Sequence, residues 1–176
     1  MNFYHDNATG KKYDIRHLRR HTVEYIQVAA GGKLERRYSV EVSYSGHCYT
    51  KREPSGIRVF DIGRYEQSKL LPRIMAELMI RECHHAGMMN FVTFDIDEHR
   101  TYEVYFEVYK KDGNLHIRVQ SAYIRDKTRL SSQPRRAKIR FSTILFNVLH
   151  NKPIHPLQQK KMIRELDFSG SLINGG

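Results

Sequence analysis

A chain of 176 residues, 40% hydrophobic and 28% charged, has enough apolar surface for one packed core and too little length for a two-domain enzyme. No stretch approaches the roughly 18 apolar residues of a membrane helix. The polar start MNFYHDNATGKK has no apolar signal segment, so a cytoplasmic protein with no membrane partner is expected. The 30 Lys and Arg outnumber 19 Asp and Glu, giving a formal charge of +11, and such an excess points to a polyanionic partner because these cations neutralise phosphates. Two cysteines, Cys48 and Cys83, make no disulfide framework and suit a reducing compartment.

Residues 1–21 read as an N-terminal extension, 22–155 as a single domain and 156–176 as a C-terminal tail. Apolar residues alternate from Thr22 to Val28 and from Arg37 to Ser45, which predicts two strands joined through Ala30-Gly31-Gly32. Pro54, Gly56 and Gly63 mark Lys51 to Gly63 as a loop with a short apolar patch at Val59 and Phe60. Leu71, Ile74, Met75 and Leu78 recur at helical spacing, with Pro72 in the first turn and Gly87 as the stop. Asn90 to Asp95 supplies a further strand.

The strongest local signal runs from Tyr102 to Ile124, where two alternating segments flank Lys111-Asp112-Gly113-Asn114. Asp-Gly favours a two-residue hairpin turn because both positions need positive φ. Pairing through it sets Phe106 opposite Val119 and Val108 opposite Ile117 on one face. On the other it sets Glu107 opposite Arg118, Tyr105 opposite Gln120 and Tyr109 opposite His116. A turn-rich connection through Ser131-Ser132-Gln133-Pro134 follows. Residues 139–150 combine strand alternation with helical spacing, which predicts a short strand turning into a helix capped near Ser142 or Thr143 and ended by Pro153. The expected fold is α+β, a small single domain with a twisted antiparallel sheet packed against one or two helices.

Three constellations carry candidate chemistry. The polar hairpin face, expected toward solvent, holds Glu107, His116 and Arg118, a carboxylate, an imidazole and a guanidinium. Those are the groups a metal-free ribonuclease needs to move the 2′- and 5′-oxygen protons and to stabilise the phosphorane. His47, which ends a strand beside Tyr49, Lys51 and Arg52, is a further acid or base. The second constellation is Tyr123 followed by Arg125, Lys127, Arg129, Arg135, Arg136, Lys138 and Arg140. Here cations neutralise phosphates and a ring stacks on an unpaired base. The ordinary alternatives are a cross-strand ion pair and a solvated charged loop. The third, His47-Cys48 with Cys83-His84-His85, has zinc-ligand types but no zinc spacing, so neither a metal nor another cofactor is expected. Phosphate-binding loops, nucleophile elbows and H-E-x-x-H helices are absent from the sequence.

Residues 37 to 150, with strand, helix, three antiparallel strands and basic residues on the last of them, resemble the RelE/ParE and barnase-like ribonuclease toxins in architecture and composition. The resemblance implies a metal-independent endoribonuclease with sheet-face residues His47, Glu107, His116, Arg118, Tyr123 and Arg125. It also implies RNA or single-stranded nucleic acid as partner, and an acidic protein or antitoxin as a second one. The alternative function is a non-enzymatic plasmid- or phage-type accessory protein that grips nucleic acid or a protein through its Arg-rich segment.

Overall fold

Alternating β-branched and aromatic residues dominate the middle of the chain, and in a computed structural model they form one large sheet. The structure describes residues 2–28, 34–86, 89–128 and 137–154. In chain order the strands are β1 (Phe3–His5), β2 (Lys12–Asp14), β3 (His21–Gln27), β4 (Arg36–Tyr44), β5 (Thr50–Arg52) and β6 (Arg58–Phe60). Helices α1 (Ile62–Ser68) and α2 (Leu71–Ala76) follow, then β7 (Cys83–Ala86), β8 (Met89–Asp95), β9 (Arg100–Lys111), β10 (Asn114–Asp126), β11 (Ala137–Ile139) and helix α3 (Phe141–Leu149).

Seven strands form the main sheet in the order β11-β7-β8-β9-β10-β4-β3. Each neighbouring pair is antiparallel except β10 with β4, which run parallel, Leu115 facing Val40 and Arg118 facing Ser43. This corrects the expected fold class. The sheet is mixed, strand outweighs helix at 49% against 22%, and three short helices replace the one or two expected. The parallel pair arises because β4 returns to the sheet beside the hairpin that closes much later in the chain. Local alternation does not encode such a long-range neighbour.

On one sheet face Tyr25, Val40, Val42, Val104, Phe106, Ile117 and Val119 meet Leu71, Met75 and Leu78 around α2 and Phe141, Ile144 and Leu145 of α3. The Phe141 ring meets Tyr25 edge-on at 4.9 Å, and the Tyr25 hydroxyl donates to the Met75 carbonyl at 2.6 Å. Pro72 sits in the first turn of α2 as expected. That helix stops at Ala76, however, and Cys83 to Ala86 form a strand, while Gly87, the expected stop, lies outside the described residues. The β-branched-poor run CHHA is drawn into the sheet by its neighbours, with Cys83 pairing Val92 and Ile139.

The stretch expected as a loop over Lys51 to Gly63 contains the hairpin of β5 and β6 and the start of α1. Asp61 caps that helix by accepting from the Arg64 N–H at 2.9 Å. The segment from Phe3 to Asp14 packs on this region. Tyr13 stacks on Phe60 at 3.9 Å, and the Tyr65 hydroxyl donates to the Asp14 carbonyl. At the other end, residues 137–149 are a strand then a helix, but the helix begins at Phe141 with Arg140 as its cap and turns off at His150. It begins earlier than Ser142 because Phe141, Ile144 and Leu145 are all needed against the sheet.

The β9–β10 turn is the expected one, with Asp112 and Gly113 at φ of 51° and 83°. The pairs Glu107–Arg118, Phe106–Val119, Val108–Ile117 and Tyr109–His116 are in register. Tyr105 faces Ser121 instead of Gln120, because a β-bulge inserts one residue after Val119. Every side chain beyond the bulge therefore changes face: Ala122 joins the core, and Tyr123 and Arg125 move to the side of Glu103 and Tyr105.

Candidate functional site

The parallel pairing of β4 with β10 carries the chain from Ser43, beside Arg118, into the tight turn Gly46–Cys48. Ser45 closes that turn by accepting from the His47 N–H at 3.2 Å, leaving the His47 ring half-buried at the surface. Arg64 reaches it from α1, and its Nη1 donates to the carbonyls of His47 at 3.2 Å and Thr50 at 2.8 Å. Arg58 of β6 donates to the Thr50 hydroxyl at 3.4 Å. Asp61, at the start of α1, is engaged by Lys51 at 3.5 Å and by its own helix end.

Burial, followed by the positive fields of Arg58, Arg64 and Arg118, lowers the His47 pKa below its ordinary value. The imidazole is therefore neutral at neutral pH, a base or acceptor held among three cations. None of Arg58, Arg64 and Arg118 forms an ion pair with a carboxylate among the described residues. Arg118 stands opposite Glu107, which accepts from Gln120 at 3.2 Å.

The expected site residues separate into groups. His47 and Arg118 come together. His116 is tied to Glu41 of β4 at 3.0 Å and stacked on Tyr109, which fixes its ring. Arg125 lies in a buried network in which its Nε donates to Glu103 at 2.8 Å and its Nη2 to the Tyr123 hydroxyl at 2.9 Å. The Tyr105 hydroxyl donates to the same Glu103 oxygen at 2.7 Å. Glu103 is 0% exposed, so this half of the hairpin face does not look to solvent as expected. Burial pushes the Tyr105 hydroxyl up, and so does its bond to the carboxylate. For Arg125 burial opposes the charge, but the contact with Glu103 outweighs it and holds the pKa up.

Lys127 is bound to Asp95 at 2.7 Å, and Lys138 of β11 to Glu82 at 2.8 Å. Arg140 caps α3 just beyond β11, the sheet edge four strands away from β10. Arg129, Arg135 and Arg136 lie outside the described residues. The run from Arg125 to Arg140 thus does not gather into one patch among the described residues. No group of three His, Cys, Asp or Glu side chains suited to a metal ion occurs among them either.

Sequence reasoning missed Arg58, Arg64 and the Glu103–Tyr105 pair. A signal for the latter is present: apolar residues in β10 fall at Leu115, Ile117 and Val119, then switch parity to Ala122 and Ile124. That switch marks a bulge. Arg58 and Arg64 have no such mark, since their approach to His47 depends on how β6 and α1 fold back.

Fold and site together define a basic protein built on one mixed sheet, with an arginine cluster around a turn histidine. The chain belongs to the YjaZ family, whose model matches residues 3–149. It is similar to Protein YjaZ of Escherichia coli (strain K12), being 27% identical over 161 aligned residues that cover 80% of this chain and 87% of that protein. No solved structure matches the chain significantly. The family match begins within β1 and ends with α3, so the N-terminal hairpin belongs to the shared region.

Proposed function

We propose that the chain binds RNA, seating backbone phosphates against Arg58, Arg64 and Arg118 around His47. The observation that carries this reading is the convergence on one half-buried imidazole of three arginines that have no carboxylate partner among the described residues. Guanidinium groups lacking a carboxylate partner are matched by phosphate oxygens, in bidentate geometry where the fork is free. Tyr123, with Arg64 and Arg125 guanidinium carbons 5.5 and 5.7 Å from its ring centre, lies next to the cluster and gives a base somewhere to stack. The test is fluorescence anisotropy with labelled single-stranded RNA across a salt series. Affinity is expected to fall steeply with salt, and Arg58→Glu with Arg118→Glu to weaken binding by orders of magnitude across sequences. Salt-independent binding, or a double variant that binds like the parent, overturns it.

A second reading, metal-independent cleavage of that RNA, is favoured by the neutral His47 ring beside Arg118. His47 takes the 2′-OH proton, Arg118 stabilises the phosphorane, and water protonates the leaving 5′-oxygen. RNA cut in EDTA to 2′,3′-cyclic phosphate ends, with a loss of about 10² to 10⁴ in rate for His47→Gln, supports it. Intact RNA leaves the protein a binder.

A further inference from the structure

Among the described residues β10 loses its β4 neighbour after Val119, and helix α1 lies against the remaining length of the strand. Between them is a cavity of about 240 Å³, lined by Asp61, Gly63, Arg64 and Gln67 on the helix side and by Tyr123 and Ile124 on the strand. Arg64, Gln67 and Tyr123 are partly exposed and Ile124 is 39% exposed, so an occupant reaches these walls from solvent. Arg64 belongs both to this cavity and to the cluster around His47. The Tyr123 ring, with the Arg64 guanidinium carbon 5.5 Å from its centre, offers the flat surfaces on which unpaired bases stack.

The polar groups on the helix side select the base. The Asp61 carboxylate is 24% exposed, accepts from the Arg64 N–H at 2.9 Å and lies 3.5 Å from the Lys51 Nζ. A carboxylate has about four acceptor sites, so about two stay open. Gly63 puts no side chain across the approach, where a Cβ would stand 3.3 Å from an Asp61 oxygen. The Gln67 amide makes no hydrogen bond among the described residues. Six positions separate Asp61 from Gln67, about 9 Å along the helix at a rise of about 1.5 Å per residue. That is room for one base edge with a hydrogen bond of about 2.9 Å at each end. Guanine alone sets two donors side by side, N1–H and the 2-amino group, with the acceptor O6 next to them. Uracil sets one donor between two acceptors, which a carboxylate repels.

We infer that this cavity takes an unpaired guanine of the bound RNA, its base stacked against Tyr123, its N1–H and 2-amino group donating to Asp61 and its O6 accepting from Gln67. The inference rests on the RNA-binding reading above and adds a base preference to it. The experiment is anisotropy of the full chain with fluorescein-labelled uridine heptamers whose central residue is U, G, A, C or inosine. Central G is expected to bind about tenfold tighter than central U, the worth of one matched base edge. A and C are expected near U, and inosine, which lacks the 2-amino group, between U and G. Asp61→Asn keeps an oxygen for the Arg64 N–H but replaces the other acceptor with a donor, so the G-to-U ratio is expected to fall toward one. Gln67→Leu breaks no hydrogen bond within the described chain and is expected to lower the ratio several-fold. It keeps the test intact should Asp61→Asn unfold the chain. The ratio within each variant is not moved by a general loss of affinity. Equal binding of all the heptamers, A or C binding as tightly as G, or a full ratio in both variants overturns the guanine site and leaves RNA binding standing. Binding of none of them overturns both.

Discussion

Glu103 has no access to water, yet it sits on the strand face that alternation assigns to polar residues. Its charge is met by Arg125 and the Tyr105 hydroxyl, an arrangement that costs most when one partner alone is removed. Arg125→Met therefore leaves a buried carboxylate without its cation and is expected to lower stability by about 3 kcal/mol in urea unfolding. A cost near zero would mean that Arg125 is a surface residue free for ligand. The two thiols make the opposite case of burial without an ion pair, Cys48 giving its S–H to the Val119 carbonyl at 3.8 Å. Desolvation pushes Cys48 and Cys83 up to about 12, so neither supplies thiolate at neutral pH. Native protein is expected to resist iodoacetamide while urea-unfolded protein takes two labels, countable by mass spectrometry. Residue types announced that the two cysteines build no disulfide framework, and both are free. They did not announce that Arg125, one of a run of cations, is spent on an internal pair, because pairing depends on which face of the strand it reaches.

At the scale of elements, the β9–β10 hairpin was legible from Asp112-Gly113 and the alternation around it, down to four cross-strand pairs. Turn chemistry and side-chain period both act over a few residues, which is why they can be read locally. Gly113 at φ 83° has open space around its missing Cβ, so Gly113→Ala meets only backbone strain. It is expected to destabilise by about 1 to 2 kcal/mol, seen as a lower urea midpoint with unchanged slope. A neutral outcome would show that the turn relaxes to another type. The bulge after Val119 was missed because regular alternation was carried through it, although Ala122 and Ile124 had already changed parity. This single inserted residue assembles the buried network, since without it Tyr123 would face the core opposite Tyr102. The parallel β4–β10 pair was beyond local reading, and so was the cluster it creates. His47 feels the field of Arg118 only because Ser43 lies beside Arg118 across a crossover of more than seventy positions.

For the whole molecule, the same burial that keeps His47 neutral couples stability to pH. His47 and His17 both have pKa values lowered first by burial, His47 further by the three arginines and His17 by Lys69. Above the unfolded histidine value of about 6.5 they are neutral in both states and contribute no slope. Below it the unfolded chain takes up protons that the folded chain refuses, so stability falls as pH drops toward the folded values. Carboxylates act in a lower window. Asp14 is held at about 2 by its bonds to Arg16, and Glu77, Glu82 and Asp97 are lowered by Arg73, Lys138 and Arg100. What they add is present above the unfolded carboxylate range and lost as pH falls through their folded values. Thermal melts from pH 7.5 to 3 are therefore expected to fall in two stages. His47 makes no side-chain hydrogen bond among the described residues, so His47→Gln removes a titration without breaking a contact. In that variant the melting temperature should fall less between pH 6.5 and 5, with the stage below pH 4.5 unchanged. Parallel curves for parent and variant across the upper window would show that His47 titrates normally, and the neutral base in the arginine cluster would be lost with it.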